Sequence, residues 1–150
     1  MSLQHLINRD PILFAAILWI SMWLLVGGII SFVSGWSSLA RVYLTTSAFD
    51  GAKWRMQSGR MRWFVGYNNV LTIGASQQGL YLSVMFFFRF MHPPLLVPWS
   101  EIKVQKEKGW VFEYVTFTLG RELAIPLRIR GTLGMNLQHA AGSAWPVEET

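Results

Sequence analysis

The chain of 150 residues contains no cysteine. Disulfide cross-links, a thiol nucleophile and every cysteine-ligated zinc or iron–sulfur site are therefore excluded. Charge is scarce as well. Asp, Glu, Lys and Arg make up 14% of the residues, against roughly 25% in an average soluble domain. With 52% hydrophobic residues, the composition fits neither a disordered segment nor an ordinary soluble domain. Signatures of chemistry are missing too: no Walker loop, no Gly-x-Gly-x-x-Gly fingerprint and no Gly-x-Ser-x-Gly elbow occurs. The histidines His5, His92 and His139 have no histidine or carboxylate neighbour three or four residues on. No metal site, cofactor or catalytic centre is expected.

The missing charges have a location. Between Pro11 and Ala40 lie thirty residues without one ionisable side chain. As a helix, Ile12 to Val33 spans about 33 Å, which matches a hydrocarbon core of roughly 30 Å. Asp10 is placed to cap the first free N–H groups, and Pro11 suits the first turn. Trp36 and Tyr43 follow, where amphipathic rings favour the headgroup layer. Residues 12–35 are therefore expected to cross a membrane, after a short N-terminal segment, 1–11. The run is longer than the 7–15 apolar residues of a signal peptide, and its leading flank is hardly basic, with Arg9 beside Asp10. A retained anchor is expected despite the small-x-small look of Ser38-Leu39-Ala40.

Orientation follows from the flanks. Only Arg9 precedes the span, whereas Arg41, Lys53, Arg55, Arg60 and Arg62 follow it. The positive-inside rule puts the C-terminal part in the cytoplasm. The same five side chains are candidates for contact with anionic lipids, at about 1 kcal/mol each near the surface. Nucleic acid is not an expected partner, because the neighbouring aromatics alternate with the charges as in a half-buried strand, which places Trp63 in a core.

Beyond a juxtamembrane linker at 36–53, apolar residues recur at period two. Trp54, Met56 and Ser58 alternate with Arg55 and Gln57, and Met61, Trp63, Val65 and Tyr67 with Arg62, Phe64 and Gly66. Asn68-Asn69 reads as a turn into Val70–Gly74, and Gln77-Gln78-Gly79 as a turn into a Phe-rich strand. In that strand Leu82, Val84, Phe86, Phe88 and Phe90 share one face. Arg89, His92, Pro93 and Pro94 exclude a second membrane span at 80–99. Strands at Leu95–Trp99, Ile102–Glu107, Trp110–Leu119 and Glu122–Ile129 follow, then a short helix at 132–141 and a frayed tail, 142–150. Glu113 shares a face with Val111, Val115 and Phe117, which predicts a buried carboxylate paired with an arginine such as Arg89. The fold class is α+β: one transmembrane helix, then a small antiparallel β-barrel or sandwich of about seven strands at 54–141, ending in a helix.

Three stretches carry a family resemblance. Asn69-Val70-Leu71-Thr72-Ile73, Gly79-Leu80-Tyr81-Leu82-Ser83 and Val97-Pro98-Trp99-Ser100-Glu101-Ile102 resemble bacterial pleckstrin-homology-like (PH-like) and GRAM-like domains. The resemblance implies a seven-stranded barrel plugged by a C-terminal helix, and with it the inner membrane of a bacterium. No tight basic loop of the phosphoinositide-gripping kind is present.

Two classes of function fit these features. One is a noncatalytic accessory subunit that packs with other integral membrane subunits or with its own copies. The small residues Gly27, Ser31 and Gly35, four apart, would form its helix-packing stripe. Trp19 and Trp23 would form an aromatic ridge in mid-span. Met85, Phe87, Arg89 and His92 are candidate partner contacts on the domain. The other is a module that binds or senses anionic lipid through the basic set.

Overall fold

The computed structural model describes residues 2–149. A short helix α1 (Leu3–Arg9) precedes the apolar helix α2 (Pro11–Ser34), which is long and apolar enough to cross a membrane. None of its most apolar window is buried within the molecule. Pro11 stands in the first turn as expected, but Asp10 makes no side-chain capping bond. At Gly35 the chain enters the left-handed region (φ 88°) and the helix ends. Glycine is required there: a Cβ would sit 2.6 Å from Ile125 Cδ1 and 3.0 Å from Arg62 Nε.

Helix α3 (Trp36–Tyr43) starts at the next residue. The stretch expected to be a linker is instead built into the domain. Trp36 and Leu39 are fully buried, and Leu44 bridges to Leu95. Nor does Trp36 sit among headgroups; its ring lies in the core, with Nε1 donating to the Pro93 carbonyl at 2.9 Å.

Eight strands follow: β1 (Ala52–Met61), β2 (Val65–Ala75), β3 (Gly79–Val84), β4 (Leu95–Pro98), β5 (Ile102–Lys108), β6 (Glu113–Leu119), β7 (Ile125–Arg130) and β8 (Glu148–Glu149). They form one curled sheet, a half-barrel, in the order β4-β3-β2-β1-β7-β6-β5-β8. All pairings are antiparallel except β5 with β8. Helix α4 (Gly131–Ala141) packs across β6, β7 and β2, matching the helix expected at 132–141. Gly134 lets it press on β6, since a Cβ there would lie 2.5 Å from Val115 Cγ2. The core lies inside the curl, from Met61, Leu71, Ile73 and Leu82 on one half to Phe117, Leu119, Ile125 and Leu127 on the other.

Several boundaries differ from the period-two reading, each for a local reason. Asn68-Asn69 is no turn; it lies within β2, where Asn69 has φ 56° opposite an irregular stretch of β1. The hairpin turns at 62–64 instead, with Arg62 and Trp63 both at positive φ. Trp63 is therefore exposed rather than in the core. The Phe-rich strand stops at Val84, and Phe86–Phe88 form a 3₁₀ turn, so the phenylalanines leave the sheet. No helix crosses at 80–99, in line with expectation. Strand β6 begins at Glu113 rather than Trp110, and β7 at Ile125 rather than Glu122. Glu113 is exposed, and Arg89 donates instead to the Val84 carbonyl, from Nε at 3.2 Å. The tail to Glu149 is held, not frayed. Trp145 packs against Trp99 and Phe117, and Lys106 pairs with Glu148 at 2.9 Å.

Candidate functional site

The end of the sheet nearest α2 carries the features that chemistry or recognition would use. Two connections meet there: the β1–β2 turn and the long β3–β4 loop, 85–94. Both touch the helix. Arg62 Nη1 donates to the Val33 carbonyl at 3.3 Å, a cation on the free C-terminal end of a helix with no basic residue in its own last turn. Phe88 stacks on Trp23 with ring centroids 5.3 Å apart and planes 15° apart. The side chain of Met91 lies against Gly27 and Gly28, 3.6–3.8 Å from where their Cβ atoms would be.

Between helix and domain lies an apolar cleft of about 440 Å³, within the range of small-molecule sites. Trp19, Trp23, Val26 and Ile30 form the helical wall, and Val65, Val70, Val84 and Phe88 the opposite one. Tyr67 and His92 also line it. They belong to a polar cluster buried where the helix enters the domain. Tyr67 Oη donates to Ser34 Oγ at 2.9 Å and lies 3.0 Å from His92 Nε2. Ser34 Oγ accepts from the Trp36 N–H and donates to the Ser31 carbonyl, both at 3.3 Å. The Trp36 ring meets His92 edge-on at 5.2 Å.

Burial governs the ionisation of this cluster. It pushes the Tyr67 hydroxyl up to about 12, against a smaller opposing effect from Ser34. It lowers the His92 ring below its ordinary value, because His92 is only 3% exposed and charging it costs desolvation. The Phe88 carbonyl acts in the other direction but completes no hydrogen bond with Nδ1, which has no partner. The cleft thus offers apolar walls, with the Tyr67 hydroxyl beside the His92 imidazole among its lining residues. Among the described residues no cluster of His, Asp or Glu could hold a metal ion.

The residues singled out in the sequence are not one site. Of the small-residue stripe, Ser31 is buried, Gly35 is the turn, and Gly27 faces Met91. The chain's own loop covers the face expected to receive another helix. The basic set is dispersed. Arg62 caps the helix, while Lys53 stands over the stacked rings of Phe49 and Tyr81. Lys53 lies eight positions before Met61 on β1, about 26 Å along the sheet. Arg41, Arg55 and Arg60 are exposed on α3 and β1. Among the candidate partner contacts, Met85 and Phe87 are exposed in the loop, whereas His92 is in the buried cluster. Tyr67 and Trp36 were not legible as cluster members. The one available signal was a Trp and two serines packed around the end of an otherwise apolar span. No family model, curated protein or solved structure matches the chain.

Proposed function

We propose that this is a noncatalytic, single-span membrane protein, an accessory subunit whose β domain sits on the cytoplasmic face of a bacterial inner membrane. The observation that carries this reading is the joint between span and domain. A single residue, Gly35, separates the last turn of α2 from a fully buried Trp36. A tether would have slack there; this joint fixes the posture of the domain over the bilayer, as an interaction surface requires. The flanking charges support the orientation, with five basic residues between Arg41 and Arg62 and one before the span. Seven antiparallel strands followed by a helix support the PH-like reading. Anionic-lipid binding is the weaker alternative, since Arg62 is engaged at the helix end and Lys53 lies far along the sheet.

Gentle detergent extraction followed by native mass measurement tests the proposal. Co-purification with other integral membrane subunits, or as a defined homo-oligomer, is the expected result. A monomer carrying only lipid would count against an accessory role.

A further inference from the structure

We infer that the tip of the β3–β4 loop, residues 85–91, is a second membrane-embedded element that inserts beside α2 from the end of the helix nearest the domain, with lipid hydrocarbon covering its phenylalanines. The inference rests on the reading of α2 as a membrane span. Phe86, Phe87 and Phe90 are 78%, 70% and 75% exposed, an apolar patch that water would penalise. Its position names the occupant. The loop lies along the span itself, with Phe88 on Trp23, Met91 on Gly27 and Gly28, and Phe87 beside Trp19 and Ile20. Trp23 is about 16 Å and Gly27 about 10 Å along the helix axis from Ser34. Half a hydrocarbon core is about 15 Å, so the loop reaches the midplane at Trp23 and passes it where Phe87 meets Trp19 and Ile20, about 21–22 Å from Ser34. Whatever solvates the helix at that depth also solvates the loop.

The loop backbone pairs about half of its own N–H groups, in a place where an unpaired amide is costly. Phe88 N–H donates to the Met85 carbonyl at 2.9 Å. Arg89 N–H donates to Phe86 and His92 N–H to Arg89, both at 3.3 Å. The return leg is Pro93-Pro94, which has no N–H to satisfy. Its two carbonyls accept from Trp36 Nε1 and the Thr45 N–H, at 2.9 and 3.0 Å. The one charged side chain, Arg89, turns back to the carbonyl that ends β3. Trp19 and Trp23, unusual at mid-span, are the residues the loop meets.

Because the chain has no cysteine, single spin labels can be placed cleanly. The probes are Phe86→Cys, Phe87→Cys and Phe90→Cys in the full chain, reconstituted in phosphatidylcholine–phosphatidylglycerol vesicles. Ile20→Cys reports the span, and Gln78→Cys the β2–β3 turn at the opposite end of the sheet. The measurements are collision with oxygen, which concentrates in hydrocarbon, and with a water-soluble nickel chelate. The loop labels are expected to collide with oxygen and lose collision with nickel, as Ile20 does, while Gln78 shows the reverse. Loop labels that behave like Gln78, with Ile20 still shielded, would overturn the insertion and leave the span intact. Loop labels shielded from both reagents would show protein rather than lipid on the patch, and would also overturn it. Nickel access at Ile20 would remove the span and the inference with it.

Discussion

Gly35 and His92 hold the span to the domain by different physics. Gly35 occupies a left-handed turn in which an added methyl would meet Ile125 and Arg62. Gly35→Ala combines backbone strain of about 1–2 kcal/mol with overpacking of about 1–3 kcal/mol. We expect its melting temperature in detergent to fall, and proteolysis near residue 35 to speed up. His92 brings a pH dependence whose sign follows from its lowered pKa. Near pH 6.5 the unfolded ring takes up a proton that the folded ring refuses. Below that pH the unfolded state binds more protons, so stability decreases as the pH falls and is fully present above it. Melting should therefore drop between pH 7 and pH 5, and the slope should flatten in His92→Phe. An unchanged slope in the variant would place the titrating group elsewhere.

Among the elements, the β1–β2 hairpin runs against its own local preferences. Arg62 and Trp63 are consecutive residues at positive φ, where glycine or asparagine is ordinarily favoured. Such strain persists where the side chains serve a purpose. Arg62 reaches the helix end, and Trp63 stands half-exposed in the turn. Trp63→Gly should thus raise domain stability by about 1 kcal/mol, read as a shift in chemical denaturation in detergent. A loss of stability would show that the Trp63 ring contributes packing here. The same hairpin explains why the sequence was only partly legible. Met61, Trp63, Val65 and Tyr67 keep a period of two straight through the turn, so alternation concealed it. Asn68-Asn69 carried turn chemistry but was absorbed as an irregularity inside β2. The Phe-rich stretch misled for a related reason: an apolar run signals burial, and period alone does not say whether protein or lipid does the burying. The apolar helix, the antiparallel class and α4 were legible because each rests on a long, uninterrupted pattern.

For the molecule as a whole, the proposed orientation rests on charge asymmetry. Of the five basic residues that follow the apolar helix, Arg41 lies on α3, Lys53, Arg55 and Arg60 on β1 and Arg62 in the β1–β2 turn, and the β1–β2 and β3–β4 connections both touch that helix. A reporter active only outside the cytoplasm, appended to the C-terminus, should stay silent, while one active only inside should work. The opposite pair of results would invert the topology without disturbing the fold. The one-residue joint also has a mechanical consequence. A helix longer than the local bilayer is thick accommodates by tilting, and a domain on a loose tether would ignore that tilt. Here Gly35, Arg62 and Trp36 act as the corner of a bracket, so the helix is a lever arm and the sheet its short arm. On the proposed reading of α2 as a span, a thinner membrane would make the helix lean and would turn the domain with it.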